Sequence, residues 1–338
     1  MPDAVRSSTV ERSETPAARI VHKAHKFGAR EKSEVAWLWS DVGTTLQLAL
    51  LLLPVWLTPD GFWTAAWRIK ARFRLRTGPG IKRNRRIIQA ALGLGDPRQA
   101  EAIARDLRAG AHELKTQSLK TWRPFGGWRP RIALEGETHL RQALEKGKGA
   151  VLWIAPFVFY SGPTKIALHA KGYTVSHLSS PLHGFSGTRY GIAFLNRIQC
   201  KPEDRLIKER IVFDRNAPST AMRRMVRALK AGEVVSIAAA STEGLEAIEA
   251  PFFGGITPIA VGAPRLAGLT GAPLLPMFTV RERDGTFRIT IEAPIALNPK
   301  QSSDERCIAA ATAFFRRLEP WVRSHPEQWR GWSKWRRD

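Results

Sequence analysis

The 338-residue chain reads as an α/β protein: a mostly parallel central sheet flanked by helices, with an N-terminal membrane-associated helix. Two observations predict this. Short apolar runs at Ala150–Ala155, Tyr173–Leu178, Val234–Ala239, Leu274–Val280 and Phe287–Ile291 recur with mostly helix-length intervals between them, the pattern of strands joined by crossover helices. The segment from Val35 to Trp67 carries an apolar run around Leu46 to Leu57, bordered by Trp37, Trp39, Trp63 and Trp67, a combination suited to a membrane interface.

Taken in order, residues 1–34 mix Ser, Pro, Ala and charges without an apolar period or a secretory cleavage pattern, and are expected to form a disordered tail. Residues 35–68 form the second unit. Their apolar core is shorter than the roughly twenty residues of a bilayer span and contains Pro54, so a membrane anchor and an interfacial helix both stay open, beside a plain buried helix. Residues 69–338 form the α/β domain. A basic belt spans its start, Arg68, Lys70, Arg72, Arg74, Arg76, Lys82, Arg83, Arg85 and Arg86, whose cations each contribute about 1 kcal/mol at an anionic membrane surface. Asp96-Pro97 then starts a helix with Ala100, Ile103, Ala104, Leu107 and Ala111 on one face. Gly149 and Pro156 bound the apolar run Ala150–Ala155, as for a strand covered on both sheet faces.

The formal charge of +23, from 53 Lys plus Arg against 30 Asp plus Glu, favours an anionic partner. An apolar, Trp-bordered neighbour makes that partner an anionic membrane lipid, and no nucleic-acid-binding signature accompanies the charge, so no nucleic acid is expected. Trp321, Trp329, Trp332 and Trp335, interleaved with Arg323, Arg330, Lys334, Arg336 and Arg337, also read as a bilayer-interface segment. Cys200 and Cys307 are too few for a metal cluster or a disulfide framework; neither metal nor cofactor is expected.

Four stretches together resemble the bacterial lipid A biosynthesis acyltransferases, the lauroyl and myristoyl transferase family. They are R-R-I-I-Q-A-A-L-G from Arg85 to Gly93, G-K-G-A-V-L-W-I-A-P-F from Gly147 to Phe157, the block from Pro251 to Pro276, and H-P-E-Q-W-R-G-W-S-K-W-R from His325 to Arg336. The resemblance implies an α/β fold at the cytoplasmic face of a bacterial inner membrane. It also implies transfer of an acyl chain from an acyl-carrier protein thioester to a lipid or glycolipid hydroxyl. The family's general base is a His, paired with a carboxylate in the pattern H-x-x-x-x-E or H-x-x-x-x-D just after the strand. An alcohol is a poor nucleophile until a positioned base takes its proton.

In this chain Pro156 and Ser161 occupy those two places, and Ala240-Ser241 stands where the family ends a later strand with Asp and a polar residue. None of the eight histidines is followed by Asp or Glu at the fifth position. His177, ending its strand, and His183, in the loop P-L-H-G, are the candidates for a relocated base, with Glu243 as the orienting carboxylate, because ligands of open α/β sheets gather at those strand ends. Candidate substrate-binding residues are Arg189 and Arg197, whose guanidinium groups suit phosphate, and Phe252, Phe253, Gly254 and Arg265 of the block that frames the pocket in the resembling family. Two functions remain: a membrane-associated lipid acyltransferase with altered catalytic residues, or a catalytically inactive homologue that binds lipid, acyl-carrier protein or a partner enzyme.

Overall fold

The computed structural model describes residues 17–22, 34–74, 79–214, 217–240 and 246–337. The chain runs β1 (Arg19–His22), α1 (Trp39–Leu57), α2 (Asp60–Arg74), α3 (Pro79–Leu92), α4 (Pro97–Lys120), β2 (Ile132–Glu135), α5 (Glu137–Glu145), β3 (Ala150–Ile154), α6 (Ser161–Ala170) and β4 (Val175–Ser179). It continues through a π turn (Gly191–Leu195), α7 (Asn196–Asp204), β5 (Glu209–Val212), α8 (Pro218–Lys230), β6 (Val234–Ala238), β7 (Glu246–Phe252), β8 (Gly255–Ala260), α9 (Gly262–Thr270), β9 (Leu274–Arg281), β10 (Phe287–Ile291), α10 (Ser303–Ser324) and two 3₁₀ turns to Lys334.

Seven strands form one sheet in the order β2-β10-β9-β3-β6-β4-β5. The five from β9 to β5 are parallel; β10 returns antiparallel to β9, and β2 pairs parallel to β10. Central β3 is buried at every position, and its side chains alternate between two cores. Val151 and Trp153 pack with α8, α9 and α10, while Ala150, Leu152 and Ile154 pack with α5 and α6. The ring of Trp153 lies 4.4 Å from Phe314 of α10. Gly149 has to be glycine, since it turns at φ +64° and a Cβ there would sit 2.5 Å from the Glu233 carbonyl oxygen.

The helix at Asp96 forms as its cap dictates: Asp96 accepts a 2.8 Å hydrogen bond from the Arg98 backbone N–H, and Pro97 opens the first turn. The expected tail departs from the sequence reading. Arg19–His22 is a strand antiparallel to β7 in a second sheet, β1-β7-β8, and the Arg19 guanidinium reaches Glu249. Residues 1–16 and 23–33 lie outside the described residues. The C-terminal tryptophans depart too. Trp329, Trp332 and Trp335 are buried, because Trp332 and Trp335 donate to the carbonyls of Pro326 and Phe252 while Trp329 packs edge-on to Phe252 and Trp332. The indole N–H groups of Trp332 and Trp335 are satisfied inside the fold, so these three side chains face the core and not a membrane.

The segment 35–68 contains α1 and the start of α2. Among the described residues, only α1 is long and apolar enough to cross a membrane. Trp39, Val42, Leu46, Leu50, Leu53 and Leu57 make one exposed stripe along it, continued on α2 by Phe62, Ile69 and Phe73. The opposite side of α1 is bound to the α/β domain along its length. Leu48 and Val55 pack near Leu119 and Leu195, and Trp56 donates to the Leu119 carbonyl. At the N-terminal end Asp41, 2% exposed, accepts hydrogen bonds from the Leu38 N–H (2.8 Å), Ser186 Oγ (2.6 Å) and Thr188 Oγ1 (2.8 Å). The Arg189 and Tyr190 amides donate to the carbonyls of Val35 and Ala36.

This ties the loop after β4 to α1 and generates a prediction. Asp41→Ala removes the shared acceptor of two hydroxyls and an amide, so amide hydrogen exchange across 184–190 should accelerate while exchange in β3 and β6 stays slow. Unchanged loop exchange would show that Asp41 does not hold it.

Candidate active site

The parallel strands β3, β4 and β6 end side by side, and their following residues Pro156, His183 and Ala240 line one cavity of about 880 Å³. That is the rim at which open α/β sheets bind ligands. Its wall also carries Arg108, Lys115, Arg330 and Lys334 and, among the described residues, no carboxylate. A second cavity of about 280 Å³ lies beside it, walled by Phe213, Ala221, Met222, Met225 and Ile237. Tyr160, Ser180, His183 and Ala240 line both, so His183 stands where a cationic chamber meets an apolar one.

His183 owes its place to the loop. Gly184 adopts φ +137°, and a Cβ there would strike the Asn196 side chain at 2.4 Å. The Asn196 amide oxygen accepts from the backbone N–H groups of Phe185 (2.7 Å) and Ser186 (3.0 Å), and its amide donates back to the Ser186 carbonyl. His183 Nε2 lies 3.1 Å from Glu203 Oε2. Gln199 Nε2 also approaches this ring nitrogen, at 3.2 Å, while donating to Glu203 Oε1; with Nε2 donating to the carboxylate, Nδ1 is the basic nitrogen, and among the described residues it has no hydrogen-bond partner.

Glu203, on α7, is the centre of a buried charge cluster. Lys165 Nζ donates to its Oε2 at 2.8 Å and Arg210 Nη2 to the same oxygen at 2.9 Å. Ser161 Oγ donates to Oε1 at 2.9 Å while accepting from Lys165 at 2.6 Å, and Gln199 also donates to Oε1. Burial alone would raise the Glu203 pKa, yet Lys165, His183 and Arg210 hold it well below the ordinary carboxylate range. Burial pulls the Lys165 ammonium down, opposed by Glu203. Arg210 also pairs with Asp204 at 2.6 Å, so two cations meet two carboxylates beside His183.

The two positions at which the resemblance would put a catalytic pair, Pro156 and Ser161, both lie near His183 and Glu203. Ser161 donates a hydrogen bond to Glu203, so a carboxylate lies one hydrogen bond from that position. Pro156 shares a cavity with His183.

His177 is on β4, 4% exposed, with Nδ1 2.8 Å from Ser236 Oγ. Burial, with Lys165 nearby, pushes its pKa well below that of free histidine, so it is a neutral ring on the smaller cavity. Glu243 and Ser241 lie outside the described residues. Arg189 and Arg197 are exposed beside the π turn, off the lining of both cavities. Phe252 and Phe253 are core residues at the β7–β8 turn, next to Gly254, and the Arg265 guanidinium is held by Glu246 and Asp304 on the wall of the smaller cavity. Glu203, Lys165 and Arg210 had no signal in the sequence: they are spread over α6, α7 and β5 at no diagnostic spacing.

A sequence-family model described as bacterial lipid A biosynthesis acyltransferase matches residues 114–334. The chain belongs to this family. The match runs from α4 through the last 3₁₀ turn and so includes β3, the His183 loop, α7, the smaller cavity and most of the lining of the larger one. No curated protein matches the chain.

Removing one partner of a buried ion pair typically costs about 3–5 kcal/mol, because the other charge is stranded. Glu203→Gln should therefore lower the thermal midpoint strongly by stranding Lys165 and Arg210. Adding Lys165→Met to it should recover part of the loss. A double variant no more stable than Glu203→Gln would contradict the charge balance described above.

Proposed function

We propose that this member of the lipid A acyltransferase family transfers an acyl group from an acyl-carrier thioester to a hydroxyl of an anionic lipid, using His183 as general base and Glu203 as its orienting carboxylate. The observation that carries this reading is the His183–Glu203 pair at the junction of a cationic and an apolar cavity. The apolar chamber suits the acyl chain, and the cations around the larger one suit a phosphate-bearing acceptor or the phosphopantetheine arm of a carrier.

In this mechanism Nδ1 of His183 takes the acceptor's hydroxyl proton as the oxygen attacks the thioester carbonyl. The tetrahedral centre collapses, the C–S bond breaks, and the departing thiolate takes the proton from the imidazolium. Glu203 keeps Nε2 protonated and stabilises the transient imidazolium, while Lys165 and Arg210 keep Glu203 ionised.

The exposed stripe of α1 and α2 and the adjoining basic belt support docking to an anionic inner membrane on its cytoplasmic face. Because α1 is packed against the α/β domain from Asp41 to Trp56, an interfacial position accounts for it better than a free span. The second reading, a homologue that binds lipid or carrier without turnover, draws on Pro156 and Ser161 at the family's catalytic places.

Both readings meet in one experiment: purified protein in detergent, acyl-carrier thioesters of several chain lengths, and a panel of lysolipid and glycolipid acceptors. We expect transfer by the parent protein, loss of about two to four orders of magnitude in His183→Ala, and a much smaller change in His177→Ala. Full activity in a folded His183→Ala protein would remove His183 from the mechanism. Lipid binding with no transfer to any acceptor would establish the non-catalytic reading.

A further inference from the structure

A third cavity, about 430 Å³, shares no lining residue with the other two. It lies between α2, the C-terminal half of α4, the segment before β2 and the turn joining β9 to β10. Its walls are fixed. Thr64 Oγ1 of α2 donates to Glu113 Oε1 of α4 at 2.9 Å, and Arg281 at the end of β9 bonds the same carboxylate. Arg131 donates to the Asp284 carbonyl of the turn, whose shape is held by Asp284 Oδ1 accepting from the Thr286 N–H.

The carboxylates on this wall are already engaged: Glu113 with Arg281, Glu282 with Arg288 and Asp284 with Arg131. Three exposed arginines remain on it, Arg68, Arg129 and Arg283, with no carboxylate partner among the described residues. Guanidinium groups are matched to phosphate oxygens, and a rigid concavity lowers the ordering cost of binding them. Both flanks are apolar and bare. Phe62, Ile69 and Phe73 are exposed on α2, and Phe125, 60% exposed, stands a few residues before the lining residue Trp128. An indole beside cations, between inserted aromatic and aliphatic groups, is the composition of a headgroup-level lipid contact.

We propose that this cavity is a second lipid site, apart from the active site, which holds the phosphate of a membrane phospholipid headgroup and so fixes how the protein sits on the bilayer. It rests on the interfacial reading of α1 and α2 and is independent of the role of His183.

The test uses the full-length protein and vesicles of neutral phosphatidylcholine doped with either phosphatidate or phosphatidylglycerol at matched surface charge. Binding is compared among the parent, Arg129→Ala/Arg283→Ala, and the control Arg223→Ala/Arg316→Ala, which removes the same charge from exposed positions elsewhere. The site predicts preference for phosphatidate, whose phosphate is unscreened by a second headgroup, and about tenfold weaker phosphatidate binding in the cavity variant, with the control losing only what delocalised charge dictates. Equal weakening in both double variants, or no preference between the lipids, would overturn it. Saturable binding of free glycerol 3-phosphate at the cavity without vesicle preference would overturn the lipid assignment in favour of a soluble phosphate ester. Absence of vesicle binding altogether would overturn the membrane reading as well, while thioester transfer in detergent would still report on His183 separately.

Discussion

Taking a carboxylate out of water costs several kcal/mol unless cations and donors surround it, and Glu203 is the group around which this candidate active site is arranged. Its neighbours come from α6, from α7 itself, from β5 and from the loop after β4. Each of those elements must be in register for the charge to be tolerated, so the same interaction that stabilises the ends of the parallel strands also sets the orientation of His183. Ser161 matters in this light as a coupler. A carboxylate at its position would meet Glu203 directly and force one of the two to take a proton; a hydroxyl bridges Lys165 to Glu203 instead.

Much of the scaffold was legible in the sequence because buried parallel strands are continuous apolar runs with little else to explain them. The five runs named from the sequence coincide with β3, β4, β6, β9 and β10 to within two residues at each end. Asp96-Pro97 announced its helix by cap chemistry, and the matched family model agrees with the resemblance read from four short stretches. The β7–β8 hairpin was hidden, since P-F-F-G-G-I-T-P has prolines and glycines that read as loop. Its Gly255 is demanded by contact, a Cβ there lying 2.5 Å from the Arg336 carbonyl oxygen. The C-terminal indoles misled for a chemical reason: tryptophan beside arginine suits a bilayer interface and also a core whose rim is solvated, and only partners such as the Phe252 carbonyl decide between them.

The site itself was legible in part. His183 is visible as a polar residue in a strand-end loop, but its partner is twenty positions away on a helix that begins through a π turn, and no periodicity links the two. The same loop is bound on its other side to α1 by Asp41, across 145 positions of sequence. One short segment, from His183 to Tyr190, is thus held between the buried charge cluster and the helix that carries the exposed apolar stripe.

The choice between the two histidines follows from dielectric surroundings more than from position. A general base must hold a proton for the lifetime of the intermediate, and His177 would do so in a fully buried site where burial and repulsion from Lys165 and Arg210 outweigh the attraction of Glu203. Its one polar contact, Ser236, can shift a hydroxyl proton but carries no charge to offset an imidazolium. His183 is partly open to the cavities, with 18% of its side chain exposed, and faces an ionised carboxylate at 3.1 Å. In the proposed mechanism water and Glu203 together would stabilise its charged form through the step in which that form must exist. The residue nearer the centre of the sheet is therefore the poorer base, and the loop histidine, held by Gly184 and Asn196 on one side and Glu203 on the other, is the one whose environment suits proton transfer.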